Sequence, residues 1–261
     1  QPAAATPAPV FGVEINRGVV GVAPRVAELG LQGGIVRYNF ANWDAVEPTR
    51  GRRDWSKLAA GEAELAAIAA TGASPMAIVS GAPAWAQRER GKACGPIRPD
   101  ALDEFASFMG ELVTRYSKPP YNVRYWELGN EPDAPFQLIG GDSPFGCWGD
   151  SNDPFYGGEA YAAMLKAAYP AIKAADPNAV VLNGGLLLDC NPLSDQSCAA
   201  GRFFEGMLRA GAGDALDMVA FHSYVYWTPL RVDFDRTNPK WDERGMLTDK
   251  TAMLRELMRR Y

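Results

Sequence analysis

The sequence predicts an α/β protein of the TIM, or (β/α)8-barrel, type, with about six βα units present in its 261 residues. Short β-branched or aromatic runs alternate with amphipathic or Ala-rich segments of helical length, without internal repeats. The length is about that of one such barrel. The fourth run, around Val123 and Tyr125, ends in Gly129-Asn130-Glu131-Pro132, where proline stops the ladder. That places Asn130 and Glu131 at the C-terminal end of a strand, the end at which parallel barrels build their sites. Residues 1–9 read as an uncharged Ala/Pro/Thr linker or tail, and residues 10–261 as one barrel domain.

Composition narrows the classes of function. A net charge of −5, with no Lys/Arg block, argues against a nucleic-acid partner. No apolar run reaches the length of a membrane span, so no membrane partner is expected. There is no phosphate-cradling Gly loop, and His222 is the single histidine, so neither an organic cofactor nor a metal is expected. Seven Trp and an aromatic content of 11% supply flat apolar faces on which sugars stack, although cores use Trp as well. The four cysteines favour an oxidising compartment. Of three connectivities, location in the loops favours Cys94–Cys147 and Cys190–Cys198. The expected location is secreted or periplasmic, with a signal peptide already removed.

Each element has its own warrant. Phe11 to Asn16 forms a short first strand, followed by a helix from about Pro24 that ends near Gly30. Ile35 to Phe40 is the second strand, and Arg37 lies inside it, where a charge needs a partner. Trp43 to Trp55 forms a loop, with Glu47 structural, into an Ala-rich helix over Ala59 to Ala70 that Gly72 ends. Met76 to Ser80 is the third strand, running on into Pro83-Ala84-Trp85. Pro99-Asp100 opens a helix whose stripe is Leu102, Phe105, Met109, Leu112 and Tyr116, with acids in its first turn. The loop from Ala134 to Tyr156 is too long for a plain connector. A helix from Glu159 to Ala175 should bend at Pro170. Val180 to Gly185 gives a fifth strand, and Arg202 to Arg209 a helix. Asp217 to Tyr224 gives a sixth strand, with His222 and Tyr224 on one face by period two. Residues 225–244 read as a loop or hairpin flap, and a helix runs from about Thr248 to Tyr261.

Tyr125-Trp126-Glu127-Leu128-Gly129-Asn130-Glu131-Pro132-Asp133 resembles the strand-4 motif of clan A glycoside hydrolases, which are retaining (β/α)8-barrel enzymes. The resemblance implies that Glu131 is the catalytic acid/base and that Asn130 holds the sugar's 2-hydroxyl. Arg37 is similar to the clan's strand-2 Arg, which hydrogen-bonds the nucleophile. Trp43-Asp-Ala-Val-Glu-Pro, with Gly51 and Asp54-Trp55, resembles the stretch that fixes the loop beneath the substrate. Pro83-Ala84-Trp85 resembles an element in which Trp walls the sugar site. His222-Ser-Tyr224 resembles one that orients the carboxylates, especially in the family of β-xylosidases and α-L-iduronidases (glycoside hydrolase family 39).

The family's strands 7 and 8 have no counterpart in this sequence, and the nucleophile Glu sits at the end of strand 7. Glu14, Glu205 and Glu243 do not stand where the clan places it. The expectation is therefore an incomplete barrel and an unknown nucleophile, the chain being part of a longer polypeptide or cut short, with completion by a second chain as the less favoured alternative. The resemblance implies hydrolysis of O-glycosidic bonds in a carbohydrate; a non-catalytic carbohydrate-binding barrel is the alternative. Sugar identity and oligomeric state are not readable.

Overall fold

The computed structural model describes residues 11–15, 23–134, 136, 143, 145–223 and 246–261. Tyr224, Glu243, the N-terminal tail and the expected flap over 225–244 lie outside these residues. Five strands, β1 (Gly12–Ile15), β2 (Ile35–Asn42), β3 (Ser74–Ser80), β4 (Tyr125–Leu128) and β5 (Val180–Asn183), pair in sequence order, all parallel. The helices between them are α1 (Ala23–Glu28), α2 (Trp43–Val46), α3 (Ala59–Ala70), α4 (Leu102–Tyr116) and α5 (Gly158–Ala175), followed by α6 (Arg202–Arg209) and α7 (Met246–Arg260). A parallel sheet with a helical crossover between successive strands is what the alternating pattern demands.

Among the described residues the expected sixth strand is not a continuous strand: 217–223 lie parallel to β5 and pair with the segment 182–186 through isolated bridges at Leu182–Met218 and Leu186–Phe221. Asn183 explains the interruption. Its side chain accepts from the Ala220 N–H at 3.0 Å and donates at 2.8 Å to the Ala220 carbonyl, which also accepts from Leu186 N at 3.1 Å. A side-chain amide has replaced a rung of the ladder, and Gly184-Gly185 follows directly. His222 still reaches the expected end of the sheet, held by its N–H to the Leu186 carbonyl at 2.8 Å.

The core lies between the sheet and α4, α5 and α6. Helix α4 buries Phe105, Phe108, Met109, Leu112, Val113 and Tyr116, a stripe recurring every three or four residues. Helix α5 runs unbroken through Pro170 and meets α6 at Gly158, where a Cβ would come within 2.0 Å of the Phe203 carbonyl. Only glycine permits that approach. Helix α7 buries Met253, Leu254 and Leu257.

Glu47 is structural, as the sequence indicated. Its fully buried carboxylate accepts from Trp43 Nε1 at 2.9 Å, Gly51 N at 2.7 Å and Arg53 Nε at 2.8 Å. It ties the turn after β2 to the start of α3, while Arg53 continues to Glu111 on α4. Removing one partner of such a buried pair leaves a stranded charge. Glu47→Ala should therefore cost about 3–5 kcal/mol in urea unfolding; a loss below about 1 kcal/mol would mean that the cluster is not what joins the loop to α4.

Candidate active site

The site begins with a charge that cannot remain alone. Arg37 points into the sheet's inner face, mostly buried, from the middle of β2. Its Nε and Nη2 donate to Glu127 at 2.6 and 2.8 Å, Nη1 meets Glu14 at 2.8 Å, and Nη2 also donates to Asn130 Oδ1 at 2.7 Å. Burial alone would pull the guanidinium's pKa down. The hydrogen bonds and charges of Glu127 and Glu14 outweigh it and hold the pKa above its ordinary value. The register explains the geometry: Glu14 sits opposite Arg37 on the neighbouring strand, and Arg37 reaches across β3 to Glu127.

Glu127 and Glu14 are the residues that sequence reasoning missed as members of this site. A signal existed. An Arg and a Glu, each inside a strand with neighbours on both sides, require each other. Glu127 is 1% exposed and also accepts from Gly185 N at 2.8 Å.

Beyond Leu128 the chain turns sharply. Gly129 has φ +91°, and Glu131 has φ +51°, a left-handed conformation that is uncommon for a residue with a side chain and clusters at functional sites. The turn is held from both sides. Glu131 N donates to Gly185 O at 3.1 Å, Gly146 N to Asn130 O at 2.5 Å, and Trp148 N to Pro132 O at 2.9 Å. The Cys94–Cys147 disulfide fastens the loop that carries Gly146 and Trp148; Cys190–Cys198 closes the second expected bridge. Asp133 accepts from Leu187 N and Leu188 N, both at 2.8 Å, and so binds the loop after β5 to the same turn. Complete burial pushes the Asp133 carboxyl up to about 6; the two N–H bonds oppose the shift and the charge of Glu131 adds to it.

Glu131 is buried, and its Oε1 lies 2.6 Å from Nδ1 of His222. A short contact of this kind holds a proton on either partner, with Nδ1 donating when the carboxylate is ionised. Lys250 on α7 supports the histidine by donating to the carbonyls of His222 and Leu187 at 2.9 and 2.6 Å. Arg37, Asn130, Glu131 and His222 are thus brought together as the sequence suggested. Trp85 is not with them: it packs edge-on against Trp43, and its indole donates to the Glu47 carbonyl at 3.0 Å.

A cavity of about 480 Å³ adjoins the turn. Asn130 and Pro132, on either side of Glu131, line it together with Asn39, Asn42, Asp44 and Ser80 at the ends of β2 and β3. Trp43, Phe105 and Trp148 supply flat apolar surface. Its size is in the range of small-molecule sites. Among the described residues, no group of three or more His, Cys, Asp or Glu could hold a metal ion.

No protein-family model matches the sequence, and no curated protein matches it. Solved structures do match in fold. A family 39 glycoside hydrolase from the gut symbiont Bacteroides cellulosilyticus is 21% identical with a TM-score of 0.57, covering 84% of this chain and 39% of its own. A GH30 endoxylanase from Clostridium papyrosolvens is 18% identical with a TM-score of 0.56, covering 82% and 49%. A conserved exported protein from Bacteroides fragilis is 14% identical with a TM-score of 0.61, covering 87% and 55%. The chain therefore shares the (β/α)-barrel fold of these structures, and it spans between 39% and 55% of their length.

Two outcomes test the local geometry. A Cβ on Gly185 would stand 2.3 Å from His222 Nε2, so Gly185→Ala should displace the imidazole by on the order of 1 Å. The resonances of His222, the only histidine in these 261 residues, should shift and its bond to Glu131 should be lost; an unchanged spectrum would contradict the placement. Asp133, with its folded pKa above the ordinary 3.8, keeps its proton longer when folded. Its contribution to stability therefore falls as pH rises from about 4 to about 6 and is constant above. Asp133→Asn should remove that slope in denaturation measured across the window, and an unaltered slope would show that Asp133 does not hold the proton.

Proposed function

We propose that this chain is the greater part of the catalytic barrel of a retaining glycoside hydrolase, with Glu131 as acid/base. The observation that carries the reading is the Glu131–His222 pair at the C-terminal end of the sheet, beside an Asn130 whose orientation Arg37 sets. Because the Asn130 carbonyl oxygen is engaged by Arg37, its amide meets a ligand through its N–H groups. That suits a donor to a sugar hydroxyl. The neighbouring cavity supports a carbohydrate substrate, since it combines aromatic faces with amide, hydroxyl and carboxylate groups.

In this reading Glu131 protonates the glycosidic oxygen as C1 is attacked, and then activates the water that releases the glycosyl-enzyme. His222 holds one carboxyl oxygen so that the other is aimed, and it compensates the change in charge as the proton leaves. Asn130 strengthens its bond to the 2-hydroxyl as oxocarbenium charge develops. The nucleophile is a second carboxylate about 5–5.5 Å away, as retention requires. We place it on a seventh strand outside these 261 residues. In this reading Arg37, which already holds Glu127, also hydrogen-bonds that carboxylate. Trp85 serves the loop beneath the sugar through Glu47 and Trp43, and for Tyr224, which lies outside the described residues, we keep the carboxylate-orienting role that the resemblance implies. No metal or organic cofactor takes part. The two disulfides support a secreted or periplasmic setting.

Leaving-group dependence tests the role of Glu131 in the protein encoded by the complete reading frame. General acid catalysis contributes about 10²–10⁴-fold. Glu131→Gln should lose that much on glycosides with poor leaving groups and much less, in the first step, on activated aryl glycosides. Azide should partly restore turnover of the aryl substrates by replacing the base-activated water. An equal loss on both classes would remove Glu131 as proton donor, and saccharide binding without hydrolysis by the unaltered protein would favour a carbohydrate-binding barrel.

A further inference from the structure

Three N–H groups converge on one buried carboxylate that the mechanism above does not use. Glu127 Oε2 accepts from Arg37 Nε, and Oε1 accepts from both Arg37 Nη2 and Gly185 N. Each of these donors leads to a group of the site. Arg37 continues to the Asn130 carbonyl oxygen. Gly185 continues through its own carbonyl to the Glu131 N–H, and its Cα faces the ring of His222 so closely that no Cβ would fit. Glu127 and Glu131 are also joined along the chain by the Gly129 turn. The carboxylate therefore closes a loop through β4, the turn and the segment after β5.

We propose that Glu127 is a positioning residue for the acid/base: it fixes the Gly185 peptide and the Arg37 fork, and through them the directions in which Glu131 and Asn130 meet the substrate. The inference rests on the reading of Glu131 as proton donor. The chemistry requires a carboxylate here and not merely a polar group. Three donors point at two oxygens, and a carboxylate accepts on both. A glutamine of the same shape offers one oxygen and turns an NH2 toward Arg37 Nε in one orientation, or toward both Arg37 Nη2 and Gly185 N in the other, so donor meets donor and at least one of these bonds is lost either way. Releasing Gly185 frees the backbone of Glu131, whose left-handed conformation persists only while its surroundings impose it. Releasing Arg37 frees the Asn130 amide. An aspartate keeps the charge but withdraws the carboxylate by one methylene, so it reaches Arg37 or Gly185 but not both in their present places.

A role confined to stability lowers the folded fraction and reduces turnover of every substrate alike. A role exercised through the proton donor is selective. In the protein encoded by the complete reading frame, Glu127→Gln and Glu127→Asp should lower kcat/KM for glycosides with poor leaving groups about tenfold to a hundredfold more than for activated aryl glycosides, the scale of a misplacement near 1 Å. The His222 imidazole resonances should move in both variants, because Gly185 abuts the ring. The aspartate variant keeps the anion beside Arg37 and serves if the glutamine variant does not fold. Equal losses on the two substrate classes in Glu127→Asp, with unmoved His222 resonances, would overturn the inference. Glu131→Gln measured alongside separates the two ideas. If it is selective while the Glu127 variants are not, only the positioning role fails; if it is unselective itself, the proton-donor reading fails.

Discussion

A guanidinium in the middle of a parallel sheet is costly to bury, and the arrangement at the strand ends follows from compensating that cost. Arg37 is withdrawn from water by the strands on either side of it, so its charge must be met from within the protein. Glu14 from β1, Glu127 from β4 and Asn130 from the turn beyond β4 each supply one part of what is needed. Because the partners come from three segments, the cation can be satisfied only when β1, β2 and β4 are in register. The interaction adds little net stability against a well-packed apolar alternative. Its consequence is geometric, since it allows only one placement of the β4 C-terminal end.

The second constraint is in the backbone. A side chain at the end of a strand ordinarily continues the alternation of the pleat. Here Gly129 and then Glu131 enter the left-handed region, and the chain folds back over the mouth of the sheet. The conformation is imposed by neighbours: Gly185 holds the Glu131 N–H, the disulfide-fastened loop holds Asn130 and Pro132, and Asp133 holds the segment after β5. Gly184 and Gly185 stand where backbones and the His222 ring approach one another so closely that a Cβ would intrude, within 2.8 Å of the Gly129 backbone at Gly184 and 2.3 Å of the ring at Gly185. Rigid support of this kind fixes the Glu131 carboxylate more closely than a free loop would.

Much of this was legible in the sequence, for identifiable reasons. The helix Ala59–Ala70 announced its limits through its alanine composition and the Gly72 that ends it. Arg37 was legible as a buried charge in need of a partner. The partner's identity was not, because Glu127 lies in the same motif as Glu131 and attention falls on the latter. The sixth strand misled because Val219, Ala220 and Phe221 have strand character, whereas the decisive residue, Asn183, sits on the neighbouring strand. Propensity along one segment carries no information about a side chain that takes over its ladder bonds. Trp85 was read as a wall of the sugar site from a local pattern, but its indole N–H is turned to the carbonyl of Glu47. Local sequence does not determine the direction of a side chain on a loop.

We propose that the turn after β4 presents Glu131 to a glycosidic oxygen and Asn130 to the adjacent hydroxyl. A crystal structure of the Glu131→Gln protein, from the complete reading frame, with an unhydrolysed saccharide bound tests it most directly. A glycosidic oxygen should lie within about 2.6–3.2 Å of the residue 131 side chain. The Asn130 amide nitrogen should lie on the 2-hydroxyl, with Arg37 still on the Asn130 carbonyl oxygen. A saccharide bound elsewhere, or one with its glycosidic oxygen turned away from residue 131, would contradict it.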